Sequence, residues 1–235
     1  YVASHFGNAI ATFAVDPVDG SLSNIQELPT NDGPVGLAID PQGERVFLTQ
    51  LDGLKLSSYS TQPDGTLALD AEIGAGPTPL FCAVDPTGTR LYLTHLESQE
   101  VSQYAVDPDS GAVGLLDRQR VRHHATGIAL LNAETGVVLR TNLAFSANSG
   151  FDDVSTFVVD PQAGSLTDRG EPIATGAIPS GLGLDLYGGY LYTANAGTGD
   201  VSQFSVDPNG GQLAEIGGPV FAGSGARSIT VEPRG

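Results

Sequence analysis

The amino-acid sequence predicts an all-β fold: a five-bladed β-propeller with four antiparallel strands per blade and a closure blade shared by the N- and C-termini. Three observations predict it. A four-element pattern recurs five times, one aromatic marks each recurrence at near-constant spacing, and the chain ends read as two halves of one recurrence.

The first element is an apolar inner strand: GLAID (36–40), FCAVD (81–85), GIALL (127–131), GLGLD (181–185) and SITVE (228–232). The second is RVFLTQ (45–50), RLYLTH (90–95), VVLRTN (137–142), YLYTAN (190–195) and, at the chain start, YVAS (1–4). The third alternates apolar and polar residues around one aromatic: IATFAVD (10–16), LSSYSTQ (56–62), VSQYAVD (101–107), VSTFVVD (154–160) and VSQFSVD (201–207). The fourth is less regular and runs from LSNIQEL in the first repeat to QLAEIGG in the last.

Phe13, Tyr59, Tyr104, Phe157 and Phe204 stand 46, 45, 53 and 47 residues apart, and the step from Phe204 through the chain end to Phe13 is 44. The wrap-around step matches the internal ones, so nothing substantial is expected to be missing between the ends. Pairing 228–232 with the N-terminal strands would remove a free edge. Residues 1–235 are then expected to form a single domain without a linker. The step of 53 is assigned to an insertion, NLAFSANSGFDD (142–153), taken as a loop between the second and third strands that presents Phe145 and Phe151.

Composition narrows the function classes. The formal charge is −17, with 27 acidic residues against 10 basic, and Lys55 is the single lysine. Such a surface repels phosphate backbones and argues against a nucleic-acid partner. It suits an extracellular or periplasmic setting. The apolar runs are too short for a bilayer, so no membrane association is expected, and no signal peptide is visible at Tyr1. One cysteine, Cys82, excludes an internal disulfide framework; its apolar strand makes it a buried inert thiol. A monomer is expected.

Antiparallel order alternates the connections between the two ends of a blade. One end carries DPVDG, DPQGE, DPTGT, DPDSG, DPQAG and DPNGG. Aspartate, proline and glycine at these offsets are β-turn chemistry, and none of the loops spaces oxygen ligands as a dedicated calcium loop does. The other end gathers the four histidines, His5, His95, His123 and His124, with Arg122, Arg140, Arg227, Asn142 and Asn195. Arg120, Arg122, His123 and His124 form the basic cluster RVRHH. It suits either an anion site for a ligand carboxylate or phosphate, or pairing with local acids such as Asp117 and Asp153. His5 and His95 read as a polar rim rather than metal ligands, because no further ligand completes a set. Arg227 precedes SITVE at the position of Val35, Leu80, Thr126 and Ser180. There it would clamp a ligand or neutralise acids such as Glu232. No metal and no cofactor are expected. No nucleophile elbow, P-loop or zinc motif occurs, and the inner strands hold too few acids for a glycosidase.

The stretches DPTGTRLYLTHLESQEVSQYAVDPDSG and LYTANAGTGDVSQFSVDPNGG resemble the YVTN-repeat, lactonase-like propellers, a family with 6-phosphogluconolactonase-type and carboxymuconate-cyclase-type enzymes. The resemblance spans nearly the whole chain. It implies a seven-bladed parent architecture and an active channel built from His-Pro-His, Gly-Pro-Arg-His and Asn-Glu-Leu motifs. In this sequence HHATG aligns His124 with the first histidine, and Ala125 and Thr126 replace the rest of that motif. GARS keeps Arg227 but sets Ser228 in place of histidine. ASHF sets His5 where the resemblance implies the catalytic glutamate.

Two function classes follow. The first is a ligand- or protein-binding module using the His/Arg-bearing end, with His95, Arg122, His123, His124, Arg140, Asn142 and Asn195 as its contacts and a small anionic molecule or a protein as partner. The second is a lactone hydrolase or isomerase on an anionic small molecule of sugar-lactone type. In it His5 activates water and Arg227 holds the oxyanion. A structural or engineered minimal propeller is the third reading.

Overall fold

The computed structural model describes residues 1–30, 32–121, 124–131, 143–185, 188–229 and 231. Among them every regular element is a strand, and the strands form five sheets in chain order. The first sheet contains β1 (Val2–Ser4), β2 (Ala9–Val15) and β3 (Leu22–Pro29). The second contains β4 (Pro34–Ile39), β5 (Arg45–Gln50), β6 (Lys55–Thr61) and β7 (Leu67–Gly74). The third contains β8 (Pro79–Val84), β9 (Arg90–His95), β10 (Glu100–Val106) and β11 (Val113–Arg120). The fourth contains β12 (Ala125–Leu131), β13 (Leu143–Asn148), β14 (Asp153–Val159), β15 (Leu166–Asp168) and β16 (Ile173–Ala174). The fifth contains β17 (Pro179–Leu184), β18 (Tyr190–Asn195), β19 (Asp200–Val206), β20 (Leu213–Glu215) and β21 (Val220–Phe221). The first strands of each sheet, three in the first sheet and four in the others, pair in sequence order, as a β-propeller demands, while β16 pairs with β14 and β21 with β19.

The chain packs as two compact units. One comprises Tyr1–Leu93 and Tyr104–Leu116, the other Thr94–Gln103 and Asp117–Gly235. In the first unit β5 explains why second strands read as continuous apolar runs rather than alternating ones. Val46 and Leu48 pack with Ile10 and Tyr59 on one side, while Phe47 packs with Leu56, Leu91 and Leu93 on the other. Both faces are covered, so both need apolar residues. Tyr104, one of the period-setting aromatics, is buried in the same core and its hydroxyl donates to the Ala75 carbonyl at 3.1 Å. Cys82 is buried there too, and loss of solvent pushes its thiol up to about 12. In the second unit Leu143, Phe145, Val154, Leu191, Phe204 and Val206 form the core.

The Asp-Pro turns behave as their chemistry predicts. Asp40 Oδ1 accepts the N–H groups of Glu44 and Arg45 at 2.8 and 2.9 Å, and Asp160 Oδ1 accepts those of Gln162 and Ala163, both at 2.8 Å. Backbone donors such as Ala163 hold the Asp160 carboxyl below its ordinary range.

Two expectations are corrected. The first concerns the inner strand expected over 228–232. Residues 226–229 and 231 carry no strand, Thr230 and Glu232 lie outside the described residues, and the first sheet is three-stranded among the described residues. The segment instead packs on β17 through its backbone and branched side chains. A methyl at Gly181 would stand 2.8 Å from the Arg227 carbonyl oxygen, and one at Gly183 would stand 3.3 Å from Ile229 Cγ2. The same close approach occurs between Gly127 and the Ser180 carbonyl at 2.7 Å, so Arg227 sits on β17 as Ser180 sits on β12.

The second correction concerns the fourth sheet. LAFSAN, not VVLRTN, is its second strand, because β13 covers Leu143–Asn148 and pairs with both β12 and β14. Leu143 and Phe145 are fully buried and fill the core, which decides the register. Phe145 is therefore not a binding-face aromatic. The extra length lies between the first and second strands, over 132–142, and not between the second and third.

Candidate functional site

At one end of every sheet the connections are uniform. The loops from second to third strand are 5–8, 51–54, 96–99, 149–152 and 196–199, four residues each. Those that lead back to an inner strand include 30–33, 75–78, 121–124 and 175–178, also four residues each. Most of these loops end on a left-handed residue, among them Asn8, Leu54, Gln99 and Asp152 in one set and Gly33, Thr78, His124 and Ile178 in the other. The two loops of a sheet also lock through backbone hydrogen bonds. Leu51 N–H donates to Gly33 O, Ser149 N–H to His124 O and Ala196 N–H to Ile178 O, at 2.9, 3.0 and 2.9 Å. The backbone here is held rigidly, so its side chains are presented in fixed places.

The last residue of the second strand in the second to fifth sheets is buried and clasps the third strand. Gln50 Nε2 donates to Ser57 Oγ at 2.6 Å, and His95 Nε2 and Ser102 Oγ share a 2.7 Å hydrogen bond. Asn148 Nδ2 donates to Ser155 Oγ at 2.8 Å, and Asn195 Nδ2 to Ser202 Oγ at 2.9 Å. In the two asparagine cases a carboxylate completes the clasp, Asp153 for Asn148 and Asp200 for Asn195, each at 2.7 Å. His95 and Asn195 are thus 0% exposed inside their sheets. Asn148 takes the place that the pattern assigned to Asn142. Arg122, His123, Arg140 and Asn142 lie outside the described residues.

His5 is placed differently. It opens the turn after β1, where the other sheets carry Leu51, Leu96, Ser149 and Ala196. Its ring is half-buried, its Nδ1 atom is enclosed without a hydrogen-bond partner, and it meets the exposed Phe6 ring edge-on at 4.9 Å. Within the same unit Lys55 Nζ lies 2.7 Å from Asp32 Oδ2 and 2.9 Å from Glu72 Oε1. This pairing raises Lys55 and, together with bonds from Gln50 and Ser57, holds Glu72 below its usual range. In the other unit His124 is exposed at the end of its loop. Arg227 is exposed at the register described above, with no hydrogen bond or ion pair to its guanidinium among the described residues. His5 and Arg227 belong to different units, and each is described in its own.

Two clefts that the sequence pattern did not flag open on the outer rim of the second unit, with volumes of about 360 and 310 Å³. They share Gly170 and Glu171, where the fourth strand of the fourth sheet breaks between β15 and β16. The Gly170–Pro172 pair in RGEP was the available signal. Neither cleft includes His5, His124 or Arg227. Among the described residues no group of three His, Cys, Asp or Glu side chains could hold a metal ion, and no helix is long and apolar enough to cross a membrane.

A family model described as lactonase, seven-bladed β-propeller, matches residues 1–81 and 70–229. No curated protein matches the chain by sequence. Among solved structures, a candidate 6-phosphogluconolactonase from Bacteroides fragilis superposes with a TM-score of 0.80 at 18% identity, covering 96% of this chain and 68% of that one. A periplasmic gluconolactonase from Pseudomonas aeruginosa gives 0.76 at 21% identity, covering 93% and 65%. A candidate 6-phosphogluconolactonase from Bacteroides uniformis gives 0.78 at 17%, covering 93% and 67%. The chain spans about two thirds of the length of each.

Proposed function

This chain belongs to the lactonase family of seven-bladed β-propellers, and on that footing we propose that it hydrolyses a lactone of the sugar-acid class, with His5 as the general base. The observation that carries the proposal is that His5 is a histidine the fold does not consume. His95 is spent on Ser102 inside its sheet, whereas His5 keeps an enclosed, unpartnered Nδ1 at the start of a rigid turn. In the reaction the imidazole takes a proton from water and the resulting hydroxide adds to the lactone carbonyl. The ring C–O bond then breaks, and the leaving oxygen takes the proton back from imidazolium. The product is the open hydroxy acid.

The test is acid release from gluconolactone and from its 6-phosphorylated form, followed in a pH-stat against the spontaneous rate. Catalysed turnover should fall roughly a hundredfold or more in His5→Ala. A wild-type rate no faster than the blank, or a His5→Ala rate equal to wild type, would sink the proposal. A second reading, an anion-binding module without turnover, is favoured by the unpartnered Arg227. It predicts a thermal shift with gluconate or its phosphate that is lost in Arg227→Ala, with no acid release.

A further inference from the structure

We propose that Asp52 is a positioning residue for His5: its carboxylate accepts the Nδ1 proton of the imidazole, leaving Nε2 as the proton-accepting nitrogen. The proposal rests on the reading of His5 as a base. Its grounds lie within the first unit.

His5 Nδ1 is enclosed, yet it has no partner. A buried nitrogen in that condition calls for an acceptor or a donor that the resting arrangement holds back. A carboxylate close by is that of Asp52. Both groups converge on Gly33: a methyl built there would stand 2.7 Å from Asp52 Cγ and 2.9 Å from His5 Cε1. Gly33 is also left-handed, with φ at 60°, so the position excludes a side chain twice over and keeps the gap between the two groups clear. Its N–H is tied to Asn8 Oδ1 at 2.9 Å, and its carbonyl accepts from Leu51 N–H at 2.9 Å, which fixes the gap on both sides.

The neighbouring acids are already engaged. Lys55 holds Asp32 and Glu72, and Gln50 and Ser57 also bond Glu72. Asp52 has no hydrogen bond or ion pair to its carboxylate among the described residues. An unpaired carboxylate and the Cε1 edge of an imidazole whose Nδ1 is unpartnered therefore face one gap. A carboxylate in this relation fixes the tautomer of the ring and stabilises the imidazolium when it forms.

The experiment uses the full chain labelled with ¹⁵N. Long-range ¹H–¹⁵N correlations report the tautomer of each of the four imidazoles, and His5 is assigned by its loss in His5→Gln. Neutral His5 should carry its proton on Nδ1 in the wild type and shift to the Nε2-protonated form in Asp52→Ala. Asp52→Glu should restore the wild-type pattern in part. Asp52 is exposed, so Asp52→Ala should keep the wild-type melting temperature. With gluconolactone, Asp52→Ala should lower kcat roughly tenfold or more and leave KM within about twofold. An identical His5 tautomer in wild type and Asp52→Ala would overturn the proposal whatever the kinetics. Absence of turnover in the wild type would defeat the hydrolase reading alone. A tautomer change would then still establish the Asp52–His5 contact.

Discussion

Replacing Asn148 with alanine tests the register of the fourth sheet. Asn148 is fully buried at the end of β13. Its Nδ2 donates to Asp153 Oδ1 at 2.7 Å and to Ser155 Oγ at 2.8 Å, and its Oδ1 accepts from Ser146 Oγ at 3.2 Å. The bond to a charged acceptor is worth about 1.5–3 kcal/mol and each neutral bond about 1 kcal/mol. Asp153 keeps another interaction, so the loss is that of the bonds rather than of a stranded charge. A total of about 3.5–5 kcal/mol follows, which for a chain of this length lowers the melting temperature by roughly 7–20 °C. Calorimetry and urea titration read it directly. The control is Asn142→Ala, at the residue that the VVLRTN pattern favours. A loss below about 1 kcal/mol at Asn148, or an equal loss at Asn142, would refute the register and with it the placement of the extra residues before β13.

Acid should destabilise the fold through the turn and clasp carboxyls. Asp64, Asp107, Asp160 and Glu72 are all held below their ordinary values in the folded state, so their stabilisation is present above the unfolded values and is lost as pH falls through the folded ones. The melting temperature should therefore drop below about pH 4. Relief of the −17 charge opposes this, and a melting temperature that climbs steadily into acid would show that the repulsion wins. Cys82 should resist a disulfide reagent at pH 8 in the native state, because burial pushes its thiol up to about 12. Its labelling rate should track unfolding in urea, and rapid labelling of native protein would contradict its place in the core.

The repeat was legible because each of its signals has a local cause. Third-strand aromatics fill the core, as Tyr104 and Phe204 do, and Asp-Pro turns satisfy their own backbone donors. The register of the fourth sheet was not legible. VVLRTN and LAFSAN both end in asparagine after an apolar stretch, so the choice lay with burial of Leu143 and Phe145, a property of the neighbouring sheet. The candidate site suffered from a related confusion. His95 and Asn195 are polar residues at a turn, which in sequence looks like a binding rim. In space they end the second strand, fully buried, where their partners include Ser102 and Ser202. Asp52 carried no sequence signal, since one acid in an acidic chain is unremarked until Gly33 and His5 converge on it.

In a repeat, rarity of residue type is a weaker guide to function than departure from the rule of a position. His95 is rare in composition but obeys the clasp rule that Gln50, Asn148 and Asn195 also obey, and its chemistry is absorbed by the sheet. His5 breaks a rule. The first turn position elsewhere holds Leu51, Leu96, Ser149 and Ala196, none of which ionises. Arg227 breaks another, because the corresponding inner-strand positions hold Val35, Leu80, Thr126 and Ser180. Thr126 illustrates what the rule serves: its hydroxyl donates to the Pro179 carbonyl at 2.7 Å and ties one inner strand to the next. The departures at His5 and Arg227 are two positions, one in each unit, at which mutation should alter chemistry before it alters stability.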